Sequence, residues 1–353
     1  MTNLITETIG CDLRDKMSEL TVLDAEGQIR ARASVRTTRK GMTTYFSRSP
    51  AHVVIEVGAH SRWVSRLLGE LGHRVTIANP RRVKLISEND NKHDQLDSEL
   101  LARLGRADVR LLRPVKHRGE QAQADLAVAK ARDVLVATRT KLVNHVRGTV
   151  KSFGERLPKC TAASFGRTRD LIPAALKPAL EPIYLALERI EEQIRAQDKM
   201  VELVAKRYPD VEVISQPAGV GTLTALVFLL TIEDKARFTK SRMVGAFLGL
   251  RPRKSKSGND DPQLRITKSG DPFLRRLLVQ AANHTLGPFG KDSDLRRWGL
   301  ELAKRGGKNA KKRAKVAVAR KLGVLMHRLW VTGEDYQPLG YNEPPSTEIN
   351  AAA

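Results

Sequence analysis

The sequence predicts an α/β domain built on a mixed sheet, then a pair of long helices, then a mostly helical third region. Three observations carry this. Short β-like runs alternate with helical ones over the first hundred residues. Between 119 and 205 helix breakers become scarce and apolar residues recur every three or four positions. From 206 to 336, helical segments are separated by Gly/Pro turns and a polar, basic loop. The expected boundaries are therefore 1–118, 119–205 and 206–336, with a polar tail over 337–353 expected to be disordered.

In the first region, "ETIGCDL" (7–13), "SELTVLDAEG" (18–27) and "QIRARASVRT" (28–37) read as strands, with a turn at Glu26-Gly27. A helix is expected near 39–48. "HVVIEVG" (52–58) is a buried-type strand, "SRWVSRLLGELG" (61–72) an amphipathic helix stopped by Gly72, and "HRVTIANP" (73–80) a further strand stopped by Pro80. "NKHDQLDSELLARL" (91–104) then opens an apolar-periodic helix. This order suits a mixed sheet with helices on both faces.

The second region carries Leu135, Leu142, Val146, Val150 and Phe153 along one side of a long helix. Leu180, Ile183, Leu187, Ile190, Ile194, Val201 and Val204 form a second seam, interrupted only by Gln197. That spacing predicts a coiled coil and hence a homo-oligomer; an intramolecular helical hairpin would produce the same pattern. In the third region "SQPAGVGTLTALVFLLTI" (215–232) is a turn leading into a buried helix. "SRMVGAFLGL" (241–250) and "PFLRRLLVQAANHTL" (272–286) are further helices, joined by the basic loop 251–271.

Lys and Arg number 62 against 39 Asp and Glu in 353 residues, a net charge of +23, which favours a polyanionic partner, with nucleic acid the first choice. Aromatic residues make up only 5%, so phosphate contacts rather than base stacking should dominate recognition. The longest apolar stretch, 223–232, is too short to cross a bilayer, and no signal segment opens the chain; a soluble, cytosolic protein without a membrane partner is expected. Cys11 and Cys160 stand far apart in no metal-binding pattern, which argues against a disulfide framework or a zinc site.

Against that positive background, four acids attract notice. Asp94 and Asp97 lie three apart on one helix face, where they repel unless a cation sits between them. Asp12 and Glu56 each interrupt or close a run that otherwise reads as buried. If the first and fourth strands pair, these two become neighbours, and a helix packed across the sheet brings Asp94 and Asp97 over them. Oxygen-only ligands of this kind suit Mg²⁺ or Mn²⁺, and two such ions can activate an attacking oxygen and stabilise a leaving one at a phosphodiester. Taken singly, an acid at a strand end serves as a turn or cap residue, and an i,i+3 acid pair complements the helix dipole.

"IGCDLRDK", "VVIEVGAHS", "VTIANPRRVK" and "NKHDQLDSELLARL" resemble, in order and separation, the DEDD motifs of the IS-one-ten family of insertion-sequence transposases. "ISQPAGVGTLTALVFLLTI" and "FTKSRMVGAFLGLRPRKSKSGNDDPQLRITKSGDPFLRRLLVQAA" resemble the C-terminal half of the same family. The resemblance spans roughly 7–285. It implies a RuvC-like, ribonuclease-H-type N-terminal domain in which Asp12, Glu56, Asp94 and Asp97 bind Mg²⁺ and act catalytically, with Mn²⁺ a substitute. It also implies a nucleophilic serine after a "GLxPR" segment, here Ser257 in "GLRPRKSKSG"; Ser255 stands two residues away and Ser269 lies in the next motif. Departures from the commonest pattern fall at Cys11, Ser98 and Thr267.

The resemblance further implies DNA cleavage and strand exchange through a covalent phosphoserine. A bridge RNA pairing with donor and target DNA would guide it, in a dimer or tetramer of the bacterial cytosol or nucleoid. Arg251, Arg253, Lys254 and Lys256 around the serine could hold the scissile phosphate, although a serine in a basic loop is by itself more often a solvated linker. Gly219 and Gly221 in "PAGVG" form a candidate phosphate-contacting turn of helix-hairpin-helix type, equally readable as a tight turn that merely needs Gly. Lys311, Lys312 and Arg313 lie in a run (304–321) with nine Lys or Arg and no acid, a further nucleic-acid surface or a solvated helix face. Two other functions compete: a metal-dependent nuclease or junction resolvase using activated water, and a non-catalytic nucleic-acid-binding scaffold.

Overall fold

The first three strands pass from almost wholly buried to almost wholly exposed, which sets the centre and one edge of the sheet. In the computed structural model, which describes residues 6–79, 94–255, 264–307 and 309–340, β1 (Thr8–Asp12), β2 (Met17–Leu23) and β3 (Ile29–Arg36) form an antiparallel meander. After helix α1 (Arg39–Phe46), β4 (His52–Glu56) pairs in parallel with β1. Helix α2 (Ser61–Glu70) then leads to β5 (Arg74–Ala78), parallel to β4, giving the order β3-β2-β1-β4-β5. Helix α3 (Asp94–Ala107) follows.

The central strand β4 shows why the apolar run is continuous. Val53 and Ile55 enter one core with Ile9, Cys11, Met42, Phe46, Val64 and Leu68, while Val54 enters the opposite core with Leu101, Leu104 and Leu112. A strand buried on both faces needs no polar alternation. Edge strand β3 is exposed along most of its length and carries Arg30, Arg32 and Arg36, charges that discourage pairing with another sheet. The mixed sheet with helices on both faces is thus as expected.

The chain divides between Arg118 and Gly119 into two compact units. The second begins with α4 (Glu120–Ser152) and α5 (Lys177–Ala205), joined by a connection with two 3-10 segments. Arg139 pairs with Glu191 at 2.7 Å and Arg132 with Asp198, so the two helices run antiparallel. Val143, Val146 and Val150 pack with Leu180, Tyr184 and Leu187 at one end. At the other, Leu126 and Ala129 share a core with Val201 and Val204. The heptad seam is therefore engaged within the chain as a helical hairpin, the second of the two readings its spacing allows. Phe153, expected on the seam, lies past the last turn of α4 and is exposed.

Beyond the hairpin stand α6 (Asp210–Ser215), α7 (Thr222–Ile232), α8 (Val244–Phe247), α9 (Pro272–Thr285), α10 (Asp294–Lys304) and α11 (Ala310–Thr332). Every residue of α7 from Thr224 onward is buried, as an all-round apolar helix requires. The helix expected over 241–250 is shorter: a 3-10 turn at Ser241–Met243 leads into the single turn of α8, and Gly249 then leaves helical geometry at φ +68°. The polar tail is tethered at its start, where the Asp294 N–H donates to the Pro338 carbonyl at 2.9 Å. Residues 341–353 lie outside the described residues.

Candidate active site

Asp12 and Glu56 terminate the adjacent parallel strands β1 and β4, at the same edge of the sheet. Helix α3 crosses above them because Gly10 allows it. A Cβ at that position would stand 1.9 Å from the Ser98 carbonyl oxygen and 2.6 Å from the Ala102 nitrogen. Gly105 permits the same approach to β4, where a Cβ would meet Val54 Cγ2 at 2.3 Å. A buried hydrogen bond of 2.8 Å between the Thr21 and Ser98 hydroxyls fixes the register of the helix on β2. Asp97, one residue before Ser98, is thereby held beside the strand ends.

Electrostatics report the convergence. The Glu56 carboxyl is pushed above its ordinary range, first by burial, then by the negative charges of Asp12 and Asp97. Asp12 accepts a hydrogen bond from Arg14 Nε at 2.8 Å, a cation that offsets part of the repulsion. Asp94 opens α3, and its side chain lies outside the described residues. Among the described residues, no three carboxylate, imidazole or thiolate groups are closed enough to hold a metal ion. The donor set that does converge is all-oxygen and negatively charged, the chemistry that Mg²⁺ or Mn²⁺ fits.

Cys11, the departure beside this site, is fully buried, pairs across to Leu20 in the sheet and has its thiol pushed far up by burial and by Asp12. It serves as a small apolar side chain. Ser98, the second departure, is the hydroxyl that pairs with Thr21.

In the second unit the basic loop is a two-armed ribbon. Pro252 and Ile266 form a bridge, the Arg253 N–H donates to Arg265 O at 2.9 Å, and the Thr267 N–H donates to Arg251 O at 3.0 Å. Arg251, Arg253, Lys254 and Ser255 are exposed on one arm; Thr267 and Ser269 share a hydrogen bond of 3.2 Å on the other. Ser257 and Lys256 lie outside the described residues. The base of the ribbon is backbone packed on backbone. Cβ atoms at Gly249 and Gly270 would stand 2.5 Å from Ser269 N and 2.3 Å from Phe247 O, and Arg275 Nη1 donates to the carbonyls of Leu248 and Gly270.

Gly219 has φ +92°, and a Cβ there would stand 2.7 Å from the Ala281 carbonyl oxygen; the turn packs directly on α9. Gly221 meets no such constraint and caps α7 without a side-chain hydrogen bond. Lys311, Lys312 and Arg313 are exposed on the first turn of α11, whose opposite face buries Ala314, Val318 and Leu322. Lys311 borders an open depression with Arg297, Leu300 and Lys304.

A DEDD transposase family model of the IS110 type matches residues 9–154, and one described as "Transposase IS116/IS110/IS902 family" matches residues 211–293. The transposase for insertion sequence element IS1111A of Coxiella burnetii is 30% identical over 340 residues, covering 93% of this chain and 91% of the relative. The chain belongs to the IS110 family of insertion-sequence transposases. The transposase for insertion sequence element IS1328 of Yersinia enterocolitica is also similar, 28% identical over 280 residues, covering 78% of this chain and 82% of that one. Membership in the IS110 family makes this a DNA-recombining enzyme. Among the described residues, no helix is long and apolar enough to cross a membrane.

Within this IS110-family chain, sequence reasoning passed over Arg14, the counter-ion of Asp12, although it stands in the same motif. It also passed over the brace behind the Glu56 strand end. There the Gly58 N–H donates to Ser61 Oγ at 3.0 Å, and Ser61 Oγ shares a 2.8 Å hydrogen bond with His117 Nε2. The sequence separation of 56 between Ser61 and His117 leaves no local signal for that pairing. Arg275, which ties down the ribbon, was hidden in a helix that reads as ordinary amphipathic sequence.

Proposed function

We propose that the chain is an RNA-guided DNA recombinase in which the acids of the first unit and a serine of the second act on one scissile phosphate. The observation that carries this reading is the coupling of Glu56 to both Asp12 and Asp97 at the ends of two parallel strands. Repulsive acids retained together are a cost unless a cation or a reaction uses them. Asp12, Glu56, Asp94 and Asp97 would hold Mg²⁺, with Mn²⁺ as a substitute. When bound, the metal supplies charge neutralisation at the phosphate oxygens.

The protein's own groups would then work as follows. The Ser257 oxygen attacks phosphorus, its proton leaves to solvent or a nearby base, and the bond from phosphorus to the leaving sugar oxygen breaks. That oxygen takes up a proton, and the DNA end stays attached as a phosphoserine. Attack by the incoming strand's hydroxyl reverses the process and restores the serine. Arg251, Arg253, Lys254 and Lys256 would neutralise the charge that develops on the phosphate. A bridge RNA would select donor and target DNA by base pairing, leaving the protein to contact backbone through Gly219, Gly221, Lys311, Lys312 and Arg313. A dimer or tetramer would let the acid cluster of one subunit meet the serine loop of another.

The test is a covalent adduct. Protein incubated with Mg²⁺, RNA transcribed from the element's flank and labelled donor DNA should yield an SDS-resistant protein–DNA species that Ser257→Ala and Asp97→Asn each abolish. Free cleaved DNA without an adduct would replace this mechanism by one in which the acids activate water.

A further inference from the structure

Phe289 is 84% exposed, the most exposed of the large apolar side chains among the described residues. In a chain with only eight phenylalanines, a solvated ring is unusual, and the loop that carries it is firmly built. Arg296 Nη1 donates to the carbonyls of Thr285 and Gly287, and the Gly290 N–H donates to Gly287 O at 3.2 Å. Gly290 lies so close under the loop that a Cβ there would stand 2.1 Å from the Thr285 carbonyl oxygen. Pro288 fixes the backbone immediately before the ring. The loop therefore holds Phe289 outward, and no packing in the unit accounts for it.

Its surroundings identify the partner. Thr285, at the end of α9, donates its hydroxyl hydrogen bond to the carbonyl of Ala218 at 3.0 Å, which ties the Phe289 loop to the Gly219 turn. His284 stands beside that same turn, and Lys291 is exposed just past the ring. From His284 to Lys291 the sequence "HTLGPFGK" contains no acid, and the next residue, Asp292, is paired with Arg297 at 2.6 Å. A solvated aromatic face beside an exposed lysine and a glycine turn fits a nucleic-acid strand: phosphate on the turn and the lysine, base on the ring.

We infer that Phe289 is a stacking platform for an unpaired base, placed beside the Gly219 turn that meets the strand's backbone. This goes beyond the proposed reaction, since it concerns neither the acids nor the serine, and rests only on nucleic acid as the partner of this unit. It assigns one base contact to a protein whose recognition is otherwise electrostatic.

The test uses full-length protein and oligonucleotides, DNA and RNA, single-stranded or carrying a single-stranded gap, with 2-aminopurine scanned through the unpaired positions. Stacking predicts fluorescence quenching at one position on binding. Phe289→Ala should lose the quenching and weaken binding to unpaired substrates by about tenfold or more, while Phe289→Trp retains both. The slope of log K against log salt should be unchanged, because no phosphate contact is removed. Duplex without a gap should bind both proteins alike.

Wild-type affinity and quenching in Phe289→Ala would overturn the inference while leaving the recombinase reading intact. So would a change of oligomeric state in that variant with nucleic-acid binding untouched, since the ring would then belong to a protein contact. Failure of the wild-type protein to bind any nucleic acid would overturn both.

Discussion

Gly10 and Ser98 meet at a distance that admits no side chain: a Cβ on Gly10 would stand 1.9 Å from the Ser98 carbonyl oxygen. The seating of α3 on β1, and with it the position of Asp97 above Asp12 and Glu56, depends on that missing methyl. Gly10→Ala should therefore lift or shift the helix, costing about 1–3 kcal/mol of stability as overpacked cores do. Denaturant unfolding should show the lowered midpoint, and DNA strand cleavage should fall with it.

Glu56→Gln is expected to separate stability from activity. Because the folded-state pKa of Glu56 is raised by burial and by Asp12 and Asp97, its charged form is penalised in the native state at every pH above the ordinary carboxylate range. Removing the charge should raise the melting temperature of metal-free protein at pH 7.5, and the advantage should shrink as the pH falls and the wild-type carboxyl takes up its proton. The same variant should lose metal-dependent cleavage.

His117 should make the first unit acid-sensitive. Burial, then Arg62, Arg118 and Arg66, hold its ring neutral, with the pKa lowered from 6.5 to about 4. Between these values the unfolded chain binds a proton that the native state refuses, so stability is complete above pH 6.5 and declines as the pH drops toward 4. His52, buried against Thr76 and likewise lowered to about 4, contributes with the same sign. Melting temperatures from pH 7.5 to 4.5 should fall less steeply in His117→Asn than in wild type.

Tyr184 packs flat against Phe165 and hydrogen-bonds the Thr168 hydroxyl at 2.8 Å, within the far end of the hairpin. Tyr184→Ala should cost about 3–5 kcal/mol, the range for deleting a large buried aromatic. Since the seam lies within one chain, the loss in unfolding midpoint should be the same at protein concentrations tenfold apart. A concentration-dependent loss would place the seam between subunits.

Arg251 and Arg253 extend from the ribbon with exposed side chains. Replacing both with Gln should weaken DNA binding across sequences alike and flatten the plot of log K against log salt by about 1.5 to 2, the signature of two lost phosphate contacts. Titrations at several salt concentrations measure this directly.

Much of the fold was legible because burial leaves periodic traces. The run "HVVIE" announced a strand covered on both sides, and Asp12 and Glu56 stood out because each broke such a run. The approach of α3 was less legible. Gly10 and Gly105 are isolated letters whose meaning, contact with a helix from elsewhere in the chain, exists only in three dimensions. The seam of α5 was plain, but periodicity records that a face is buried and not what buries it. Phe289 marks another limit: an overall aromatic content of 5% cannot reveal that one ring is held in solvent.

The hairpin of α4 and α5 has a property of a strut. At 1.5 Å per residue the 33 residues of α4 extend about 50 Å. Each end is fastened by its own apolar joint, Leu126 and Ala129 with Val201 and Val204 at one, Val146 and Val150 with Tyr184 and Leu187 at the other. Ion pairs such as Arg132–Asp198 and Arg139–Glu191 hold the stretch between. Its span is thus counted in helical turns. Whole turns added to or removed from both arms would change how far the distal connection reaches while leaving both joints untouched.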